Sequence, residues 1–128
     1  MKRREAREKA LQTLFQIDVG KVDREMAIEH VMDEMEPDAY LLKLVNGATD
    51  HGEQIDQLIQ DNLENWKLDR LSNIDRNILR LTTYEFLYSE EVPQNAAMNE
   101  AIELAKVFGD DQSPKFVNAV LSKIKDSL

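Results

Sequence analysis

Cations concentrate at the start of the chain, where they can contact phosphate groups. Five of the first nine residues are basic: Lys2, Arg3, Arg4, Arg7 and Lys9. Only two acids accompany them, so this stretch carries a formal +3, and because the whole chain carries −9 the remainder carries −12. A basic tip on an acidic body can bind phosphates locally while the body repels nucleic acid elsewhere. An ordinary solvated basic turn is the equally weighted alternative.

One carboxylate and two histidines are the other residues that could do chemistry. Glu85 falls within an apolar stripe, where it is either a catalytic acid or, as we weigh more heavily, a hydrogen-bonded structural group. His30 and His51 lie on different predicted helices without metal-site spacing, and the chain has no cysteine. The sequence also lacks a glycine-rich phosphate loop and a nucleophile elbow. It therefore predicts a binding protein with no metal or cofactor, and not an enzyme.

The segment 74–88 (IDRNILRLTTYEFLY) is predicted to be the central helix. At about 100° per residue its apolar side chains form two stripes, Ile74, Ile78, Leu81, Tyr84 and Tyr88 on one and Leu79 and Phe86 on the other. A helix with two apolar stripes must be covered on two sides. Arg76, Arg80 and Thr83 fall in the remaining arc. Ser72 and Asp75 resemble a capping box at its start.

Composition and spacing predict an all-α fold of one domain. The chain of 128 residues is 42% hydrophobic and 6% aromatic, with 4 Gly and 3 Pro. Seven helices are expected, at about 3–19, 24–35, 38–50, 53–65, 74–88, 96–108 and 114–125. Gly20 and Gly52 are expected to end helices, Pro37 to break the chain, and Ser113 to cap the last helix. No apolar run could cross a membrane and no signal peptide precedes the first helix, so a soluble intracellular protein is expected.

Two apolar strips run along the first predicted helix. Ala6, Ala10, Leu14 and Ile17 are expected in the core. Leu11 and Phe15 continue the flank on which the cations begin, so they are either an exposed protein contact beside the basic tip or part of the core, and both readings stand. In the second helix, Met35 is expected to fill the core.

Several motifs occur in a fixed order along the chain. KRR at 2–4 leads into AREKALQTLF at 6–15, NW at 65–66 precedes LDRL at 68–71, and DR, ILRL and YE follow between 75 and 85. The last block is NEAIELAK at 99–106, FG at 108–109, KFVN at 115–118 and VL at 120–121. In this order the motifs resemble the NusB family of bacterial transcription antitermination factors, over all but about 21–42. FQIDV at 15–19 and the absence of cysteine are most similar to the family's Gram-positive branch.

The resemblance implies an all-α fold of two small packed helical bundles, an N-terminal one of about 1–65 and a C-terminal one of about 66–128. It implies a cytoplasmic protein without catalytic activity or cofactor. Such proteins bind the single-stranded boxA element of nascent RNA with NusE, a small-subunit ribosomal protein. The complex joins RNA polymerase with other Nus factors and suppresses premature termination on ribosomal RNA operons. A monomer or a homodimer is expected for the free protein.

The resemblance also assigns roles to particular residues. It implies RNA contacts by Lys2, Arg3, Arg4, Arg7, Lys115 and Phe116. It implies that Phe15, Asp69 and Asp75 face NusE, where carboxylates beside an aromatic suit a basic ribosomal protein. Phe116 would stack on an unpaired base, although periodicity alone also allows it to be core. The chain departs from some relatives in having phenylalanine instead of tyrosine at 15, Gln112 instead of an acid, and Ala119 instead of glycine.

Two rival functions follow from the same patterns. A similar fold forms the N-terminal domain of certain ribosomal RNA methyltransferases, but that reading expects a glycine-rich methyltransferase domain downstream, which the sequence lacks. A helical adaptor that binds protein but no RNA is the other rival. It predicts that Arg3, Arg4 and Arg7 can become alanine without consequence.

Overall fold

The computed structural model describes residues 1–36 and 38–128, and this part of the chain is helical. Its elements, in order, are α1 (Arg3–Gly20), α2 (Arg24–Met32), α3 (Ala39–Asp50), α4 (Gly52–Asp61), a 3-10 turn (Leu68–Arg70), α5 (Asn73–Tyr88), α6 (Gln94–Phe108) and α7 (Ser113–Ser127). The predicted all-α fold with seven helices is confirmed for these residues. Pro37, the predicted chain break, lies outside them. No helix in the described ranges combines the length and apolarity needed to span a bilayer.

Helix α5 is the central helix, as its two apolar stripes predict. It packs against α1, α3, α4, α6 and α7, and Ile78, Leu79 and Leu81 are fully buried. The hydroxyl of Ser72 caps its start by accepting a hydrogen bond from the backbone N–H of Asp75 at 3.2 Å. The arc predicted to remain polar is also covered, because α1 and α4 supply carboxylate partners for its two arginines.

Helix α2 is shorter than its apolar spacing predicts. It ends at Met32, and Asp33 adopts a positive φ of 56° that turns the chain away from the helix. Met35 therefore lies beyond the helix and is 53% exposed, so its prediction as a core residue is wrong. Helix periodicity predicts burial only as far as the helix continues.

Gly20 lies at the end of α1, as predicted, whereas Gly52 and Ser113 lie at the starts of helices instead of in the positions predicted for them. Gly20 is the last residue of α1, and the left-handed residue that follows it is Lys21, with φ 54°. Gly52 opens α4, since α3 and α4 share His51 as a cap. Ser113 is the first residue of α7 rather than its cap. The carboxylate of Asp110 accepts from the backbone N–H of Ser113 at 3.1 Å and so satisfies this helix start.

Candidate nucleic-acid and protein interface

Three exposed cations lie at the start of α1, and two of them contact side chains from other parts of the chain. Lys2 precedes α1, and Arg3 and Arg4 lie in its first turn, all three exposed. The guanidinium of Arg3 lies 4.8 Å from the centre of the Tyr40 ring, and 3.8 Å from the carboxylate of Glu91. These groups hold Arg3 at the surface in an orientation that leaves it reachable by a phosphate.

Arg4 is joined to α6 by a two-point ion pair. Its Nε and Nη2 donate to the two carboxylate oxygens of Glu100, each at 3.1 Å. This hydrogen bond and the charge of Arg4 hold the pKa of Glu100 below its ordinary value. Because the guanidinium is exposed, water and a phosphate can compete for it.

Arg7 is grouped with these cations by the sequence, but the structure buries it. Its side chain points into the protein and is 5% exposed. Nε and Nη2 donate to the carboxylate of Glu85 at distances between 2.9 and 3.1 Å. Its donors therefore serve an internal partner, and Arg7 is not among the exposed cations of this surface. The structural reading of Glu85 agrees with this geometry.

Tyr40 adds a third side chain to the buried Arg7–Glu85 pair. Its hydroxyl donates to Oε2 of Glu85 at 2.5 Å. Burial and this hydrogen bond raise the pKa of Tyr40 to about 12, so the hydroxyl stays protonated and remains a donor. The three side chains connect α1, α3 and α5 directly beneath the exposed cations.

Lys115 and Phe116 begin the accessible face of α7. Lys115 is exposed, and Phe116 is half-buried. Phe116 packs against the core and also lines a small surface groove that includes Trp66. Phe116 is thus packed against the core and still partly accessible, and its role in RNA binding stays a prediction.

An apolar groove lies along the second half of α1. Phe15 is 36% exposed, whereas Leu11 is buried, so Leu11 belongs to the core and Phe15 stays accessible, with its role as a protein contact still a prediction. The groove has a volume of about 380 Å³ and is lined by Leu11, Gln12, Phe15, Gln16, Ile74 and Phe108. It therefore lies where α1, the start of α5 and the end of α6 meet.

Asp69 and Asp75 flank the start of α5. Asp75 follows Ile74, which lines the groove, and Asp69 is on the exposed 3-10 turn just before α5. Asp75 is 8% exposed, and its Oδ1 has no hydrogen-bond partner among the described residues. An unpaired buried carboxylate oxygen is costly, and a donor from a partner would relieve that cost. Asp75 therefore adjoins the Phe15 groove through Ile74, whereas Asp69 lines a separate polar pocket with Asp18 and Arg76.

A charged network beside Asp69 has no counterpart in the sequence analysis. Asp18 accepts from Arg76 at 2.7 and 2.9 Å, and Arg80 donates to both oxygens of Asp56 at 2.8 and 3.0 Å. Burial would raise the pKa of Asp18, but hydrogen bonds from Arg76 and Asn77 hold it below its ordinary value. These ion pairs join α1, α4 and α5. Residues so far apart in sequence give no local signal of such pairing.

No metal centre is formed by the residues that the structure describes. Among 1–36 and 38–128, no three His, Asp or Glu side chains are arranged to hold an ion. His30 lies 3.2 Å from the side-chain oxygen of Gln16. His51 stacks on Tyr88 with ring centres 4.2 Å apart.

Comparison with known proteins shows which proteins this chain is similar to. A family model described as the NusB family matches residues 4–126. The chain is 58% identical to the transcription antitermination protein NusB of Bacillus pumilus, over all of this chain and 98% of that protein. It is 57% identical to the Bacillus subtilis protein of the same name over equivalent shares.

Solved structures share the fold over nearly the whole chain. T. maritima NusB superposes with a TM-score of 0.91 at 38% identity, covering 98% of this chain and 92% of that one. A crystal structure of the antitermination factors NusB and NusE in complex with double-stranded RNA gives a TM-score of 0.90 at 30% identity. It covers 98% of this chain and 97% of that one.

Proposed function

This chain belongs to the NusB family, and from that membership we propose that it is a transcription antitermination factor that binds boxA RNA together with NusE. It acts in the cytoplasm by binding rather than by catalysis. The complex joins RNA polymerase and other Nus factors and promotes full-length transcription of ribosomal RNA operons.

The observation that carries this proposal is the arrangement of two different surfaces on α1. Arg3 and Arg4 are exposed in its first turn, and Phe15 opens the apolar groove further along. Eleven residues separate Arg4 from Phe15, which is about 16 Å along a helix axis. One rigid helix can therefore hold RNA at one end and a protein at the other without the two competing.

The RNA surface consists of Lys2, Arg3 and Arg4, with Lys115 and Phe116 as a second contact. Arg7 does not belong to this surface because its guanidinium is hydrogen-bonded to the carboxylate of Glu85. A handful of lysines and arginines on a chain of net charge −9 gives modest affinity that falls with salt. NusE raises that affinity by adding contacts and extending the RNA surface.

The NusE surface consists of the groove at Phe15 together with Asp69 and Asp75. Apolar side chains of NusE fill the groove, and a basic side chain reaches the carboxylates. Asp75 gains most from this contact, because its Oδ1 has no partner within the described chain. Its low exposure requires a donor that inserts at the start of α5.

A gel-shift titration tests the proposal. Wild type is titrated onto boxA RNA and scrambled RNA, with and without NusE, at two salt concentrations. The double variant Arg3→Ala/Arg4→Ala is compared with Lys106→Ala/Lys125→Ala, which removes the same charge from α6 and α7. We expect selective boxA binding that NusE strengthens and only the first variant weakens.

Two results would contradict this expectation. Equal binding of boxA and scrambled RNA in the presence of NusE would remove the RNA function. If NusE still bound, the protein adaptor would become the better description. Equal weakening by both double variants would show that net charge, rather than the tip of α1, determines binding.

A further inference from the structure

Trp66, the one tryptophan of the sequence, stands on a fixed turn at the surface. Its side chain is 57% exposed, although tryptophan contributes more apolar area to a core than almost any other residue. Asn65 forms the turn with φ 62°. The side-chain amide of Gln60 binds the backbone on both sides of Lys67: it donates to the Trp66 carbonyl at 3.0 Å and accepts from the Leu68 N–H at 2.9 Å. The backbone that carries the indole is therefore held in place before any ligand arrives.

Trp66 and Phe116 line the same surface groove. The groove has a volume of about 190 Å³, and its other walls are Asn62, Leu63, Glu64, Ala119, Val120 and Lys123. Pockets that hold drug-sized molecules begin at roughly 300 Å³. Two aromatic rings around a smaller groove suit one planar ring and exclude a folded ligand.

One lysine lines this groove, and two more adjoin its aromatic residues in sequence, on an otherwise acidic chain. Lys67 follows Trp66 and Lys115 precedes Phe116, and both are exposed. Lys123 lies on the groove wall, with its Nζ 2.6 Å from the carboxylate of Glu64. Among the described residues that line the groove or adjoin its two aromatics in sequence, Glu64 is the only acid. The surroundings therefore favour a ligand that carries negative charge next to an aromatic ring.

We propose that Trp66 and Phe116 form a stacking site for one unpaired base of single-stranded RNA, and that Lys123 contacts the adjacent phosphate. This inference rests on the proposed RNA function and extends its surface from Phe116 to the α4–α5 connection. Base–aromatic stacking and a nearby cation are how single strands are bound without a deep pocket. A protein partner fits less well, because a standard interface covers about 800 Å² on each side.

Fluorescence of Trp66 gives a direct test, since no other tryptophan in the chain contributes to the emission. The protein is titrated with boxA and scrambled single-stranded RNA, and emission and RNA anisotropy are followed together. Stacking is expected to quench Trp66 at the RNA concentration at which anisotropy rises. Phe116→Ala weakens binding and reduces the quenching.

Substitutions then measure the contribution of each group. Trp66→Ala is expected to weaken boxA binding about 5- to 100-fold, the range for removing one stacked base, while Trp66→Phe retains most of the affinity. Lys123→Gln reduces the salt slope by about 0.7, the value for one phosphate that is no longer neutralised, and Glu64→Gln strengthens binding by releasing Lys123. Met26→Ala, at another exposed apolar side chain, leaves binding unchanged. Thermal unfolding of each variant verifies that it is folded.

The possible outcomes separate this site from the wider function. Wild-type affinity in Trp66→Ala, together with emission from the wild type that RNA does not quench, would overturn the stacking site while leaving the boxA function intact. Normal RNA binding but weakened NusE binding by Trp66→Ala would show a protein occupant and also overturn it. Equal binding of boxA and scrambled RNA would overturn the proposed function. In that case the stacking site would still be tested separately, because quenching of Trp66 by either RNA would support it and the absence of quenching would overturn it.

Discussion

The Arg7–Glu85 pair shows how one charged residue can serve the fold while its neighbours serve a ligand. Three arginines occur within five residues at the start of α1, yet Arg3 and Arg4 are exposed and Arg7 is enclosed. Helix rotation places Arg7 toward α5, where Glu85 neutralises it and the Tyr40 hydroxyl donates a further hydrogen bond to Oε2 of Glu85, an oxygen that also accepts from Arg7. A buried ion pair is costly to break because the remaining charge has no solvent around it.

Removing the Arg7 side chain should therefore destabilise the protein strongly. For Arg7→Ala we expect a decrease of about 3 kcal/mol or more in the free energy of unfolding, the range for breaking a buried pair. Urea denaturation followed by circular dichroism measures it. Arg4→Ala, which removes an exposed guanidinium from the same helix, should leave the midpoint unchanged. A decrease smaller than about 1 kcal/mol for Arg7→Ala would show that water reaches Glu85 easily.

The Tyr40 hydroxyl should make stability depend on pH in the alkaline range. Its pKa is raised from 10.0 to about 12 by burial and by the hydrogen bond to Glu85. The folded state therefore favours the protonated phenol, and the associated stability is fully present below pH 10 and is lost as pH rises through about 12. Tyr40→Phe cannot ionise, so the stability difference between wild type and this variant should narrow across that window. A constant difference would contradict the assignment.

Helices α3 and α5 pack closely at Gly47. A Cβ at this position would overlap the aromatic ring of Tyr84, which is buried and cannot move aside easily. Gly47→Ala should therefore lower the free energy of unfolding by about 1–3 kcal/mol, as overpacking does. Gly52→Ala is the matched control, since a Cβ there meets nothing within 4 Å.

The control should change stability in the opposite direction. Gly52 lies in the first turn of α4, and alanine restricts the unfolded chain and favours the helix, for an expected gain of about 0.5–1 kcal/mol. Thermal or urea unfolding of both variants measures the pair. If both substitutions were neutral, the close approach of α3 and α5 would not be a constraint on the fold.

Helix identity was predictable from sequence, whereas helix ends and exposed faces were less so. The two stripes of 74–88 predict a covered central helix because periodicity is a local property. Gly52 was predicted to end a helix, but glycine at that position only permits a turn, and the sharing of His51 between α3 and α4 depends on tertiary packing. The candidate site divides in the same way. The cations at 2–4 are evident in the sequence, while the burial of Arg7 depends on a carboxylate 78 residues away.

In the whole molecule, α5 determines how independently the two predicted bundles can behave. The division near residues 65 and 66 stays a prediction, and we propose that α1–α4 and α5–α7 are two packing groups that share one core. Helix α5 packs against α1, α3 and α4 as well as against α6 and α7. Ion pairs from Arg76 to Asp18 and from Arg80 to Asp56 cross the same division.

This shared core should make unfolding a single cooperative transition. Urea denaturation followed by far-ultraviolet circular dichroism reports on all helices, and the emission of Trp66 reports on the connection between the two groups. We expect the two curves to superimpose, as in a two-state protein of this size. Ile78→Ala, which removes a fully buried side chain of α5, should cost about 2–5 kcal/mol and shift both curves equally. If only one curve shifted, or if circular dichroism showed two transitions, the groups would be independent folding units, because their shared packing on α5 would then be too weak to couple them.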